Sequence, residues 1–290
     1  PEYRRSRPEG FALSAEDAEY AEAFGLDMEQ MAWRGHKIAE YGDGFAWLFD
    51  QEYPASPALA FQASTRHPLI SPALVMRAVN SSYRERYGAV VIGCDPAEGG
   101  PKGDRTVIAW RHGRIVPRVE CYQDYSPMQT AGLLARYWLE GDGNGALPDA
   151  ILVDKIGIGS GIVDRLRELH IPVIGVNSAA EADDPERYAN KRAEMWWRML
   201  AWLQDYPVRL PNDAALIADI SAPQGHKPSS DGRLLLESKD SMRTRGVRSP
   251  DYGDALALTF AELVAQGARQ ASVFGAAGMT GRRPATRAGY

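Results

Sequence analysis

The sequence predicts an α/β fold: a mixed sheet that starts as a three-strand antiparallel meander, continues through βα units and carries helices on both faces. Three observations predict it. Strand-length apolar runs at 89–95, 105–111 and 115–122 follow one another closely, the last two joined by the tight-turn composition "HGR". Helical patterns then alternate with short apolar strands, among them "DAILVDKIGIGSG", ending at Asp154, and "PVIGVNS". Finally, a helical pattern from Asp251 to about Ala265 carries Leu256, Leu258 and Phe260, which must return to the sheet to be buried.

The remaining elements fall around this frame. Residues 14–42 read as helical, opening on Ser14 with Glu16 and Asp17 in the first turn, and Gly25 and Gly35 predict a break into two or three short helices. The segment "FAWLFDQEYPASPALAFQAS" is rich in aromatics and proline and is expected to pack against something larger. A short helix over 72–79 leads into the main domain. Helices are expected over 127–140, over about ten residues in "GSGIVDRLRELHI", through "PERYANKRAEMWWRMLAWLQD" with Pro185 near its first turn, and around 212–220. "GRLLLES" at 232–238 reads as β-like. This order, a meander followed by βα units, is that of ribonuclease-H-like domains. The expected division is a helical and aromatic appendage at 1–70, a ribonuclease-H-like domain at 71–266 and a flexible Gly-, Ala- and Arg-rich tail at 267–290.

Composition narrows the function classes. The 290-residue chain has a net charge of −5, so its overall field does not attract polyanions, and nucleic-acid contact must come from local basic patches. No apolar run has membrane-spanning length and no secretory pattern opens the sequence. The basic, Pro-rich start "PEYRRSRPEG" reads as a mid-chain cut or a flexible lead-in. Cys94 and Cys121 are too few for a metal knuckle and sit in strand-like runs, so they are expected as reduced core residues of an intracellular protein.

Asp95 ends the first core strand, where a carboxylate is costly to bury unless something cationic meets it. Asp154 ends a second strand, and Asp251 and Asp254 open the last helix three residues apart, on roughly one face. Carboxylates gathered this way repel one another and take up protons unless cations intervene. Hard oxygen ligands with few histidines suit Mg²⁺ or Mn²⁺, and two such ions activate a water and stabilise the leaving oxygen of a phosphodiester. Asp95, Asp154 and Asp254 are therefore the leading metal ligands. Asp251 is also readable as a helix cap, and Asp104 as either an auxiliary ligand or a turn residue. The Gly-rich "DKIGIGSGIV" is similar to a phosphate-cradling loop, but no G-x-x-x-x-G-K-[ST] occurs, so no nucleotide site is assigned. Lys239 is a candidate to contact a phosphate or position a water, and Arg243, Arg245 and Arg248 are candidates for DNA-backbone contact. A solvated surface explains these four equally well. His112 and His226 read as surface residues.

Together these motifs resemble the nuclease domain of the large terminase subunit of tailed bacteriophages. "VIGCDPAEGGPKGDRTVIAW" resembles its first acidic strand and hairpin, and "ILVDKIGIGSGIVDRL" its second acidic strand, turn and helix. "YANKRAEMWWRMLAWL" resembles its long Asn-Lys-Arg-Ala-x-x-x-Trp-like helix, and "SKDSMRTRGVRSPDYGDALALTF" its closing motif. Residues from about 85 to 265 are covered, in the family's order. The resemblance implies a two-metal endonuclease, with Mg²⁺ or Mn²⁺, that cuts concatemeric double-stranded viral DNA during packaging. It implies as partners a small terminase subunit and a portal protein, and as location the host cytoplasm, with no membrane. Asp95, Asp154 and Asp254 carry over as metal ligands, with Asp251 and Asp104 behind them. Upstream, "WRGHKIAEYGDGFAWLFDQEYPASPALAFQAS" is similar to the end of the ATPase motor that precedes such nucleases. Without a phosphate-binding loop this chain is not expected to hydrolyse ATP. Lys155, where the family suggests a small or apolar residue, is a departure, although strand alternation points it away from Asp154.

Three rivals remain open on the sequence. A resolvase or transposase-like nuclease of the same fold would keep the chemistry and change the substrate. An actin-like or sugar-kinase ATPase also uses an Asp-ending strand and a Gly-rich hairpin, but needs two similar domains, and only one acidic meander occurs here. A packaging adaptor with a degenerate site would bind DNA without cutting it.

Overall fold

The computed structural model describes residues 11–41, 49, 53–55, 68–97, 105–226 and 232–269. The expected flexibility of the tail beyond 269 and most of the motor-like aromatic segment fall outside these residues.

The sequence opens with α1 (Ala15–Phe24) and α2 (Met28–Tyr41). Ser14 caps α1 by accepting from the Asp17 N–H, and Gly25 ends it in the left-handed conformation at φ 64°, which glycine adopts without steric cost. Gly35 does not break α2, contrary to expectation, because a single interior glycine only weakens a helix. The next helix, α3 (Pro72–Val79), lies where the sequence placed it, capped by Ser71. It packs against α1 on one side.

The meander follows as β1 (Val90–Asp95), β2 (Arg105–His112) and β3 (Ile115–Gln123), paired antiparallel throughout. Then come α4 (Pro127–Glu140), β4 (Ala150–Asp154), α5 (Gly159–Glu168) and β5 (Ile174–Val176). β4 pairs parallel to β1, and β5 parallel to β4, so the five-stranded sheet runs β3-β2-β1-β4-β5. The central strands β1 and β4 are buried almost throughout, as their unbroken apolar runs require.

The helix α6 (Lys191–Gln204) begins later than its sequence suggested: Asn190 caps it, and Pro185 lies upstream in a turn. It is followed by α7 (Ala214–Ser221), a small hairpin of β6 (Gly225–His226) with β7 (Leu235–Leu236), α8 (Lys239–Thr244) and α9 (Asp251–Leu258). "GRLLLES" thus supplies a two-residue strand and, at Leu234, a single bridge to Tyr188, all outside the main sheet. The closing helix stops at Leu258 rather than near 265, because Thr259 turns its hydroxyl onto the Leu256 carbonyl and the following N–H groups tighten to i→i−3 bonds.

Two apolar layers sandwich the sheet. Val91, Val107 and Leu152 point to α3, α6, α7 and α9, while Ile92, Ile108 and Ile151 point to α4 and α5. Cys94 is buried in the second layer and Cys121 is half-buried, both unpaired. Among the described residues no helix is long and apolar enough to cross a membrane.

The closing helix comes down on the sheet at Gly93, where a Cβ would fall 2.1 Å from the Ala255 carbonyl oxygen. The backbone of α9 therefore rests on β1 with no side chain between them. Gly93→Ala is expected to push the helix off the strand and cost at least about 1–3 kcal/mol by overpacking, read as a lowered urea midpoint at unchanged m-value. An unchanged midpoint would show that the helix can move without penalty.

Candidate active site

Strand alternation decides which side chains meet. Because Val91 faces the α6 and α9 layer, so do Gly93 and Asp95; because Leu152 does, so does Asp154. Parallel pairing of Cys94 with Val153 sets the next residues, Asp95 and Asp154, beside each other at the C-terminal ends of the two central strands. Lys155 comes out on the opposite side, its stem alongside Gly175, and stays clear of the carboxylates.

The first turn of α9 brings Asp254 and Asp251 over these strand ends. Pro250 occupies the N-cap and offers no side-chain cap. Asp219, reaching from α7, takes over by accepting from the Tyr252 N–H at 2.8 Å. The capping role that the sequence allowed for Asp251 is thus filled by another carboxylate, and Asp251 bonds to Ser249 instead.

Asp254 is almost fully buried and saturated with donors. Its Oδ1 accepts from Arg192 Nε at 3.0 Å and Trp196 Nε1 at 2.8 Å; its Oδ2 lies 3.4 Å from Arg192 Nη2 and 3.0 Å from Lys239 Nζ. The same Lys239 ammonium stands 3.8 Å from Asp95 Oδ2. Asp154 accepts from the Ile156 N–H at 3.1 Å and from Ser178 Oγ at 2.8 Å. Asp95, Asp154, Ser178, Arg192, Lys239 and Ser241 line a cavity of about 570 Å³, and Asp254 lies buried behind Arg192 and Lys239.

The electrostatics are uneven. Burial pushes Asp95 up to about 8, with Lys239 pulling against it and the neighbouring carboxylates adding to it. Asp154 and Asp251 are also raised by burial, partly offset by their hydrogen bonds. Burial alone would raise Asp254 too, but Arg192 and Lys239, with the Trp196 N–H, hold it down at about 2. In turn Asp254, then Asp95, keep Lys239 above the ordinary lysine range. The cluster thus holds more carboxylate than fixed cation. Its donors are hard oxygens, since Cys94 faces the opposite layer, and this set fits Mg²⁺ or Mn²⁺. Among the described residues no three His, Cys, Asp or Glu side chains stand close enough together to hold a metal ion as they are placed. Lys239 stands between two of the carboxylates instead.

The other candidates are dispersed. Asp104 lies outside the described residues. Arg248 is exposed, and Arg243, also exposed, pairs with Asp240 at 2.8 Å. Arg245 is not on the open rim: its guanidinium is bound by the buried Glu237 at 2.6 and 2.8 Å and donates to the Ala222 carbonyl. Arg192, Trp196, Ser178 and Asp219 were not singled out from the sequence. Arg192 and Trp196 carried a usable signal, being one helical turn apart and so on one face. Ser178 and Asp219 carried none, since both act across the fold.

Asp95 gives a pH dependence whose sign follows from its raised value. Between about pH 4 and 8 the folded protein keeps a proton that the unfolded chain releases, so this stabilisation is complete at low pH and lost as pH rises through about 8. Asp219, raised to about 7 by burial, acts in the same direction, while Asp254 acts oppositely and only below about pH 4. In EDTA, the Tm of the wild type should fall relative to that of Asp95→Asn across this window. Parallel Tm curves would contradict the placement of Asp95 in an undercompensated cluster.

No family model and no curated protein matches the chain. Solved structures do match. The nuclease domain of the large terminase subunit gp2 of bacterial virus Sf6 is 22% identical, with 68% of this chain and 100% of that one covered at a TM-score of 0.54. Two single-residue variants of that domain, one with calcium and one with manganese, match at 21% and 20% identity and TM-scores of 0.55 and 0.54, each covering 67% of this chain and 98% of theirs. The chain has the ribonuclease-H-like fold of a phage large terminase nuclease domain.

Proposed function

We propose that this chain is a metal-dependent endonuclease that cuts concatemeric double-stranded viral DNA during genome packaging. The observation that carries the reading is that Asp95 and Asp154 line one cavity at the C-terminal edge of the sheet, while Asp254, from a third stretch of sequence, shares the Lys239 ammonium with Asp95. The Sf6 domain variants with calcium and with manganese support the choice of a divalent cation.

Asp95, Asp154 and Asp254 would hold the ions, with Asp251 beside them and Asp104 as a further ligand. Two bound divalent cations supply an activated water and neutralise the leaving oxygen of a phosphodiester. The protein's part is to fix the oxygens: Ser178 and the Ile156 N–H orient Asp154, and α9 presents Asp254. Lys239 offsets part of the charge of Asp254 and Asp95 and is a candidate to contact an incoming phosphate. Arg243 and Arg248, exposed on and just after the helix that Lys239 opens, suit sequence-independent contact with the DNA backbone. Arg245 acts at one remove, by fixing the α8 segment through Glu237. In this reading, residues 1–70 are the end of a motor and its linker, 71–266 the nuclease and 267–290 a tail. A small terminase subunit and a portal protein are its partners in the host cytoplasm.

The test is supercoiled-plasmid cleavage with Mg²⁺ or Mn²⁺. Nicking is expected with either ion, none with EDTA, and none above the EDTA control for Asp95→Ala. An inactive wild type whose Tm rises with a nucleotide would replace the reading with an actin-like ATPase.

A further inference from the structure

Asp254 does not present its two oxygens equally. Oδ1 takes two short hydrogen bonds, from Trp196 Nε1 at 2.8 Å and Arg192 Nε at 3.0 Å, which fill the lone-pair directions of a carboxylate oxygen. Oδ2 has only the longer 3.4 Å contact from Arg192 and the mobile-tipped Lys239 at 3.0 Å. Trp196 is fully buried, so its indole N–H has no water to turn to and is committed to Asp254. Arg192 is fixed as well, because its Nη1 donates to the Glu237 carbonyl at 2.9 Å. Gly253 makes the close fit: a Cβ there would fall 2.7 Å from Trp196 Cη2, so the indole lies flush against the first turn of α9.

We infer that Trp196 and Arg192 are positioning residues that lock Asp254 with Oδ1 turned into the protein, so that it offers a divalent cation Oδ2 alone. The inference rests on the reading of the cluster as a metal site. It assigns Arg192, a cation lining the cavity, to Asp254 rather than to DNA. Both donors come from one face of α6, so a single helix sets the rotamer of a ligand carried by another.

The test is Mn²⁺ affinity of the full chain by titration calorimetry without DNA. Trp196→Phe and Arg192→Lys should each weaken binding roughly 10- to 100-fold, as loss of an outer partner of a metal ligand does. Trp202→Phe, whose indole donates to the Gly113 carbonyl, should bind as the wild type does. In the ¹⁵N spectrum of the indoles, Mg²⁺ should shift the Trp196 resonance, identified by its absence from Trp196→Phe, and leave that of Trp202 in place. If Trp196→Phe does not fold, Arg192→Lys decides. Asp254→Ala separates the two ideas. If it binds Mn²⁺ like the wild type, the metal-site reading falls and takes this inference with it. If it loses Mn²⁺ while Trp196→Phe and Arg192→Lys bind normally and the Trp196 resonance stays still, the positioning assignment alone is overturned.

Discussion

The rest of the structure depends on the direct seating of α9 on β1 at Gly93. A helix normally stands off a sheet by the depth of two side-chain layers; here one layer is missing at a single point, and the first turn of the helix drops to the level of the strand ends. The helix is then gripped at both termini by charges that suit its dipole. Asp219 meets the N-terminal N–H groups, and Arg111 meets the C-terminal end through the Thr259 hydroxyl at 2.9 Å and its carbonyl at 2.7 Å. Arg111 accepts this at the cost of burial, which pushes it down to about 10. With its ends fixed and its apolar face buried, α9 has little freedom to slide, and Asp254 inherits that precision.

The fixed cations of the site are not shared evenly. Arg192 is committed to Asp254, and Lys239 leans towards it more closely than towards Asp95. Asp154 is oriented by neutral donors, which direct its oxygens without cancelling their charge. Such an arrangement satisfies one carboxylate and leaves the others in deficit, where buried like charges gain most from a shared counter-ion. The same deficit, added to a net negative chain, means that the centre of the site repels polyanions rather than drawing them in.

How much of this was legible in the sequence follows from the range of each interaction. The meander, the βα order, the helix at 72–79 and the strand-end positions of Asp95 and Asp154 rest on local periodicity, and the structure has them where the residues place them. Even the direction of Lys155 followed from alternation alone. The start of α6, the end of α9 and the fate of "GRLLLES" did not, because they are settled by a cap, a hydroxyl and a distant strand partner. In the site, the acidic residues announced themselves by being charged at the ends of apolar runs. Their partners did not: Trp196 looked like any core aromatic, Asp219 like any polar residue on a helix, and Gly93 like an ordinary small residue in a strand. Arg245 shows the converse, a residue whose type suggested the surface and whose neighbour Glu237 drew it inward.

The pairing of β1 with β4 has a consequence for how the chain comes to life. The strand that carries Asp154, the neighbour of Asp95 in space, is reached only after a hairpin and a helical crossover, and Asp254 arrives from almost the end of the described sequence. Contacts of such long sequence separation are slow to form, because loop closure precedes their reward. No fragment released early from the ribosome carries the complete acidic set. The acidic cluster is therefore completed only in the last act of folding, and a truncated or half-folded product lacks it.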